Sequence, residues 1–339
     1  VYFLNKHPKK NQFPTPYNKM TKRTKHLLIT TSIIVTLIFV GTIGGAFYLI
    51  DYALKPGDRL RNEQVAWTDI DSTYPGMIAW RDSLLQHQAL KDTTILAPDG
   101  AKMHAWYVYA NRPTAATALL VHGYTDCSIR MMPLGRMYNR DLHMNILLPD
   151  LRNAGRTDGD HFQMGWFDRF DVKQWAALLP QIFGDSVRTV VHGVSMGAAT
   201  TMMLSGDADV PNCVKTYIED CGYTNVHDQF SKELQERFSL PSWPLIPIAS
   251  TLCQWRYGWN FEEASALNQV SRSKQPMLFI HGTADKFVPT WMVHPLYRAK
   301  HIGYKEIWLA PHAEHARSYQ LYPQEYTQRV KCFLQKTLH

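Results

Sequence analysis

Short apolar runs recur along the chain from residue 93 onward, and polar segments rich in turn residues separate them. Most of the later runs are continuous rather than alternating, which is typical of strands that are buried on both faces of a parallel sheet. The stretches between them are compatible with helices. The predicted strands cover residues 93–96, 104–109, 118–121, 144–148, 187–191, 214–218, 277–280 and 306–309. The pattern therefore predicts an α/β domain over 91–339, with a mostly parallel eight-stranded sheet and helices on both faces.

Two segments depart from this alternation. Residues 51–90 are mixed polar and aromatic, which predicts a linker and a leading helix at 77–90. Residues 225–273 contain no strand pattern but two helix-like stretches, 228–238 and 245–257, joined through prolines. We interpret 225–273 as an inserted helical lid, whose apolar and aromatic residues are expected either to line an acyl pocket or to pack the lid: Phe230, Phe238, Leu240, Trp243, Leu245, Ile246, Ile248, Leu252, Trp255 and Tyr257.

An apolar span of 24 uncharged residues, 27–50, precedes these segments. At about 1.5 Å per residue it is long enough to cross a hydrocarbon core of about 30 Å. Residues 1–26 form a basic tail without acids, so the positive-inside rule predicts a cytoplasmic N-terminus and a domain on the outer face. A signal peptide cleaved near Gly44, Gly45 and Ala46 is the alternative, but its apolar stretch is usually only about 7 to 15 residues long. An uncleaved transmembrane anchor is the favoured interpretation.

Composition and charge narrow the function classes. The chain has 339 residues, of which 45% are hydrophobic and 19% charged, as in globular proteins. Its net charge of +7 equals the seven basic residues of the tail, and the remainder carries 29 basic against 29 acidic residues. This balance argues against a nucleic-acid-binding surface on the domain. Translation from Val1 and translation from Met20 both remain open.

Five scattered cysteines without a CxxC pair do not form a disulfide framework. Single buried thiols are the expected state. A disulfide between two of these cysteines is the alternative if the domain faces outward.

The strongest chemical signal is Gly193-Val194-Ser195-Met196-Gly197, which lies between a predicted strand and an apolar helix. A serine hydroxyl becomes a nucleophile when a sharp turn exposes it beside a general base, and flanking glycines permit such a turn. Ser195 is therefore the predicted nucleophile.

An acid and a base are expected to follow the nucleophile in the order Ser, Asp, His. Asp285 and His315 each lie in a loop directly after a predicted strand, at the edge where an open α/β sheet presents its site. Asp220 competes as the acid, and His312 competes with His315 as the base because spacing alone does not separate them. A zinc site at His312 and His315 is disfavoured because no third ligand lies nearby.

The oxyanion of a tetrahedral intermediate needs two N–H donors, and these are expected from Met196 and Tyr124. Tyr124 lies in the loop after the third predicted strand, next to Gly123. His122 is interpreted as a buried structural histidine. Cys127 is a second possible nucleophile, but it does not explain the turn at Ser195.

The chain resembles the α/β-hydrolase superfamily of serine hydrolases, and is similar to bacterial prolyl-aminopeptidase-like and esterase-like proteins. The resemblance extends from residue 93 to residue 338 and rests on ordered motifs: HGY at 122–124, Asp150-Leu-Arg152 with Gly155 and Gly159, Met164-Gly-Trp166, GVSMGAAT at 193–200, Glu219-Asp-Cys-Gly-Tyr-Thr224, HGTADKFVP at 281–289 and HAEHARSY at 312–319. The family's catalytic histidine precedes a serine in a GHA-like context. This resemblance points to His315, with Glu314 where glycine is common.

These observations predict a membrane-anchored serine hydrolase that cleaves a carboxylic ester or related acyl bond in a small-molecule substrate through an acyl-enzyme. Ser195, His315 and Asp285 are the expected triad, and no metal or organic cofactor is required. An exopeptidase or amidase is the first alternative, with Glu233, Glu236, Glu262 or Glu263 of the lid as the anchor for a substrate amine. A non-catalytic, membrane-tethered scaffold with the same fold is the second alternative. Substrate identity and oligomeric state are left open.

Overall fold

The computed structural model describes residues 20–55, 57 and 62–339. Of the predicted basic tail, residues 1–19 lie outside the described residues. The chain divides into two compact units between Gly44 and Gly45. This division falls within the first helix, α1, which spans Lys22–Leu54 and includes the whole predicted apolar span.

The described part of the first unit is the beginning of α1. Its side chains are exposed from Met20 to Gly41. Within the described residues, α1 is the one helix whose length and composition would suffice to cross a membrane, with a mean hydropathy of 2.3 over its most apolar window.

The second unit is built on one eight-stranded sheet with the order β1-β2-β4-β3-β5-β6-β7-β8. β1 pairs antiparallel with β2 and β2 antiparallel with β4, whereas the other neighbours are parallel. The strands are β1 Lys91–Leu96, β2 Lys102–Val108, β3 Ala116–Val121, β4 Asn145–Pro149, β5 Arg188–Val194, β6 Val214–Asp220, β7 Met277–Gly282 and β8 Lys305–Ala310. The predicted α/β-hydrolase fold is confirmed, and all eight predicted runs fall on strands.

Burial explains why the central strands read as continuous apolar runs. Every residue of β4 and β7 is buried, whereas the edge strand β1 alternates between exposed and half-buried positions. Because β3 and β5 to β8 run parallel, their carboxyl ends lie along one edge of the sheet. That edge presents the loops that carry the predicted site residues.

Helices cover both faces of the sheet and form two apolar layers. The remaining α-helices are α2 Glu63–Thr73, α3 Ile78–Gln86, α4 Met132–Arg136, α5 Asp168–Phe183, α6 Met196–Ser205, α7 Val226–Phe238, α8 Leu245–Tyr257, α9 Ala266–Val270, α10 Val293–Ala299, α11 Ser318–Leu321 and α12 Pro323–Thr337. Short 3₁₀ turns lie at Pro75–Met77, Ser128–Met131 and Thr290–Met292, and a π-helical turn at Met137–Asp141.

The segment expected to hold one leading helix holds two, α2 and α3. Asn62 begins α2, because its side chain accepts a hydrogen bond from the backbone N–H of Val65 at 3.1 Å. The predicted helix over 77–90 corresponds to the shorter α3.

Between β6 and β7 the chain leaves the sheet and forms α7, α8 and α9. Asn225 caps α7 by accepting from the N–H of Asp228 at 2.7 Å, and Gly258 ends α8 in a left-handed conformation. The two longer helices cover the stretches predicted as helical in the lid.

Candidate active site

Ser195 lies on the turn between β5 and α6, with φ 58° and ψ −120°, a backbone conformation that is strained for any residue except glycine. The neighbouring backbone leaves no room for side chains. A Cβ on Gly193 would lie 2.0 Å from the carbonyl oxygen of Gly197, and a Cβ on Gly197 would lie 2.1 Å from the carbonyl oxygen of Val121. The two glycines therefore permit the turn that holds Ser195, as the sequence motif predicts.

Ser195, His315 and Asp285 form a hydrogen-bonded chain. His315 Nε2 lies 2.8 Å from Ser195 Oγ, and His315 Nδ1 lies 2.7 Å from Asp285 Oδ2. Asp285 holds the imidazole with its N–H on Nδ1, which leaves the lone pair on Nε2 to accept the serine proton. Ser195 is 8% exposed and Asp285 5%, so both ends of the chain are largely shielded from water.

The carboxylate of Asp285 is stabilised as an anion. Backbone N–H groups of Phe287 and Val288 each donate to Asp285 Oδ1 at 2.9 Å. Burial by itself would raise the pKa of Asp285, but hydrogen bonds from His281 and His315 outweigh it and lower this pKa to about 2. Asp285 is therefore ionised throughout the neutral range.

The side chains of the two competing residues, Asp220 and His312, are placed differently. Asp220 accepts hydrogen bonds from Tyr326 Oη at 2.9 Å and Ser318 Oγ at 3.5 Å, and its backbone carbonyl accepts from the N–H of Ser195. Burial raises the pKa of Asp220 to about 6. The side chain of His312 is exposed, and its backbone N–H donates to Thr283 Oγ1. The geometry brings Asp285 and His315, rather than Asp220 and His312, to Ser195.

The residues predicted to supply the oxyanion donors lie in segments next to Ser195. Met196 is the first residue of α6, so its N–H has no acceptor within that helix. A Cβ on Gly123 would lie 3.2 Å from the Cβ of Ser195, which shows how closely this loop approaches the nucleophile. Tyr124 lines the same cavity as Ser195, and its hydroxyl donates to the carbonyl of Ala53 at 2.7 Å.

His122 and Cys127 are engaged in the protein interior. The N–H of Leu151 donates to His122 Nε2 at 2.9 Å, so Nδ1 carries the proton that binds the carbonyl of Gly123. Burial raises the pKa of the Cys127 thiol to about 12. Neither residue resembles an activated group.

All five cysteines lie among the described residues and none forms a disulfide. One group of metal-ligand types occurs in the described part of the chain, where atoms of Cys221, Asp285 and His315 lie within 4.8 Å of one another. Asp285 and His315 already bind each other, and His315 also binds Ser195. His312 is not part of the group.

Ser195 opens into a cavity of about 670 Å³, a size typical of sites for small organic ligands. Most of its lining is apolar or aromatic and comes from the lid, the loops and the end of α1: Leu49, Ile50, Tyr52, Ala53, Tyr124, Met164, Met196, Tyr223, Phe230, Leu234, Phe238, Ile246, Ala249, Phe261, Phe287 and Val288. A second space of about 240 Å³ lies beside Ser195 and His315, with Gly123 and Asp126 in its wall.

The ten predicted lid residues therefore divide into three groups. Phe230, Phe238 and Ile246 line the cavity. Four others pack against the core: Leu245, Ile248, Leu252 and Tyr257. Leu240, Trp243 and Trp255 are exposed.

Sequence analysis missed the contribution of α1. Leu49 and Ile50 belong to the stretch predicted as membrane-spanning, 27–50, and Tyr52 and Ala53 to the segment predicted as a linker. No local signal in the sequence marks these residues as cavity-lining.

Comparisons with known proteins show the family to which the chain belongs. The model of the prolyl oligopeptidase family matches residues 165–339, just over half of the chain. An uncharacterized protein of Bacillus subtilis, YqkD, is 31% identical over 228 residues, which are 67% of this chain and 74% of that protein. The chain belongs to the prolyl oligopeptidase family. The predicted resemblance to the α/β-hydrolase superfamily is thereby confirmed.

Other relatives of this prolyl oligopeptidase family member share the fold. The α/β hydrolase domain-containing protein WAV2 of Arabidopsis thaliana is 24% identical over 61% of this chain and 65% of its own length. Among solved structures, the esterase Pf2001 of Pyrococcus furiosus superposes with a TM-score of 0.60 at 23% identity, over 74% of this chain and 93% of the esterase. A puromycin hydrolase superposes with a TM-score of 0.54 at 15% identity, over 73% of this chain and 39% of the hydrolase. An esterase and a puromycin hydrolase therefore both occur on this architecture.

Proposed function

We propose that this protein is a membrane-anchored serine hydrolase that cleaves carboxylic esters through an acyl-enzyme, with Ser195, His315 and Asp285 as its catalytic triad. The observation that carries the proposal is the unbroken hydrogen-bonded chain from Asp285 through His315 to Ser195, which lines a mostly apolar cavity. A protein that serves only as a binding scaffold does not need these hydrogen-bonded side chains. The hydrogen-bonded series therefore supports an enzyme rather than a scaffold.

In the first half of the reaction, Ser195 Oγ attacks the ester carbonyl while His315 Nε2 takes the serine proton. The carbonyl oxygen becomes an oxyanion, which the N–H groups of Tyr124 and Met196 stabilise. When the intermediate collapses, the bond to the leaving oxygen breaks, and His315 gives its proton to the departing alcohol. Ser195 is then acylated.

In the second half, His315 takes a proton from water, whose oxygen attacks the acyl carbonyl. Collapse of the second intermediate releases the carboxylic acid and returns the proton to Ser195 Oγ. Asp285 stays ionised throughout and stabilises the imidazolium that forms twice per cycle.

The charges near the cavity favour an ester over a peptide with a free amino terminus. An exopeptidase that binds a free amino terminus is expected to offer the substrate amine an unpaired carboxylate. Glu233 lines the cavity, but Lys232 and Arg237 bind it at 2.9 and 2.5 Å. Glu236 pairs with Lys232, and Glu262 binds the hydroxyl of Ser250. Glu263 accepts from the N–H of Asn260, so each of the four glutamates is engaged.

The membrane part of the proposal rests on α1 and the basic residues before and at its start. We propose that α1 is an uncleaved anchor with the N-terminus in the cytoplasm and the catalytic domain on the outer face. Protease added to intact cells is expected to digest an epitope fused after His339 and to spare one fused before Val1. Protection of the C-terminal epitope would contradict this orientation, and a mature mass that lacks the basic tail would identify a cleaved signal peptide.

The function is tested by steady-state hydrolysis with the full chain in phospholipid nanodiscs. We expect turnover of p-nitrophenyl butyrate, and Ser195→Ala is expected to lower kcat at least about 10³-fold. Cys127→Ala is the control for the other candidate nucleophile, and its kcat is expected to stay within about threefold of the wild type.

Amide substrates decide the remaining alternative. Alanine p-nitroanilide and proline p-nitroanilide are expected to be hydrolysed far more slowly than the ester. A higher kcat/KM for either anilide would replace the esterase by an exopeptidase. Ester turnover that survives Ser195→Ala would reject the serine mechanism.

A further inference from the structure

The last turns of α1 are packed into the catalytic unit. Ala46, Ile50 and Leu54 follow a four-residue spacing, which places them on one face of the helix, and each is at most 2% exposed. A Cβ on Gly45 would lie 3.7 Å from a methyl group of Leu245 in the lid helix α8. These turns are therefore part of the core of the catalytic unit.

Polar contacts fix the end of the same helix. The N–H of Phe162 donates to the carbonyl of Leu54 at 2.8 Å, and Arg256 of α8 binds Asp51 at 3.0 Å. The hydroxyl of Tyr124 donates to the carbonyl of Ala53 at 2.7 Å. Because the N–H of Tyr124 is a proposed oxyanion donor, α1 is linked through one side chain to the loop beside Ser195.

The last turns of α1 contribute four residues to the lining of the cavity that contains Ser195: Leu49, Ile50, Tyr52 and Ala53. Tyr52 also packs edge-to-face on Phe238 of α7, with ring centroids 5.5 Å apart. The wall that α1 contributes is thus joined to the wall that the lid contributes. Apart from the ring edge of Tyr52, the side chains that α1 presents from these positions are aliphatic.

We infer that the end of α1 is part of the acyl-binding site, and that the substrate is an ester of a medium- or long-chain aliphatic acid whose chain extends from Ser195 to Leu49, Ile50 and Ala53. This inference rests on the proposed function and names its substrate class. A cavity of about 670 Å³ is far larger than an acetyl group requires, and its lining offers an aliphatic chain dispersion contacts along its length. The helix that carries the apolar N-terminal span therefore also determines acyl-chain specificity.

The neighbouring residues Leu49 and Tyr48 allow a matched test. Leu49 lines the cavity, whereas Tyr48 is 61% exposed and does not. A tryptophan at position 49 shortens the space along α1, and a tryptophan at position 48 introduces the same side chain outside it. The readout is the ratio of kcat/KM for p-nitrophenyl dodecanoate to that for p-nitrophenyl acetate, measured with the full chain in nanodiscs.

We expect the wild-type ratio to exceed one, Leu49→Trp to lower it at least tenfold, and Tyr48→Trp to leave it within twofold. Leu49→Ala is the second variant, in case the larger side chain impairs folding, and it is expected to lower the ratio several-fold by removing contacts. Labelling of Ser195 by ethyl and dodecyl fluorophosphonates provides the same comparison without turnover.

The two possible failures are distinguishable. In the first, the protein hydrolyses esters and is labelled, but neither Leu49 variant changes the ratio of kcat/KM for the dodecanoate to that for the acetate. This result would overturn the role of α1 in acyl binding and leave the proposed hydrolase activity standing. An equal loss of kcat/KM for the dodecanoate and the acetate would also overturn the role of α1, because that pattern indicates a general structural effect. Absence of both turnover and labelling in the wild type would reject the proposed function and the inference with it.

Discussion

The turn that holds Ser195 and the wall of the cavity above it are built in opposite ways. The turn consists of five consecutive residues whose backbone atoms lie so close to their neighbours that two positions accept only glycine. The wall combines α1, α7, α8 and several loops, and it consists mostly of apolar and aromatic side chains. The comparison indicates that the position of the nucleophile depends on a local and rigid motif, whereas substrate choice depends on segments that are far apart in sequence.

The largest expected effect concerns the acid of the triad. Asp285→Asn should lower kcat by about 10⁴-fold, because an asparagine cannot hold the imidazole in the tautomer that accepts the serine proton. Asp220→Asn is the matched control and should reduce the kcat of the folded protein by less than tenfold, because its carboxylate binds Tyr326 and Ser318 instead. The reverse order of the two losses would identify Asp220 as the acid. Steady-state kinetics on active-site-titrated enzyme measures both.

The second prediction tests the rigidity of the turn. Gly197→Ala places a methyl group 2.1 Å from the carbonyl oxygen of Val121, so the backbone of β3 or α6 has to move. We expect a loss of at least about 3 kcal/mol in the free energy of unfolding. Gly76→Ala adds the same methyl group where no atom lies within 4 Å, and should change stability by less than about 1 kcal/mol. Equal denaturant midpoints for the two variants would show that the turn is not as tightly packed as described.

The smallest expected effect concerns the wall. Phe238→Ala removes an aromatic ring from the cavity and should raise KM for a dodecanoyl ester by about tenfold, with little change in kcat, because the lost contact binds substrate and transition state alike. Trp243→Ala in the same lid removes an exposed ring and should leave KM unchanged. A fall in kcat at unchanged KM for Phe238→Ala would assign the lid a role in the reaction itself.

The same contrast explains what the sequence could predict. The buried strands were predictable because burial on both faces imposes continuous apolar runs, and the turn at Ser195 because its steric limits leave a glycine signature. The sequence favoured Asp285 over Asp220 as the acid but kept both, since both follow buried strands, and their hydrogen-bond partners separate them in the structure. The cavity lining at Leu49 and Ala53 was out of reach, because an apolar helix face has the same composition whether it contacts lipid, protein or substrate.

The central claim is that His315 and Asp285 activate Ser195, and covalent labelling tests it most directly. The full chain in nanodiscs would be treated with a fluorophosphonate and its adduct located by peptide mass spectrometry, with Ser195→Ala and Asp285→Asn in parallel. We predict one adduct, on Ser195, which is absent in Ser195→Ala and forms far more slowly in Asp285→Asn. An unlabelled Ser195 in the folded wild type, or labelling at the same rate without Asp285, would contradict the account.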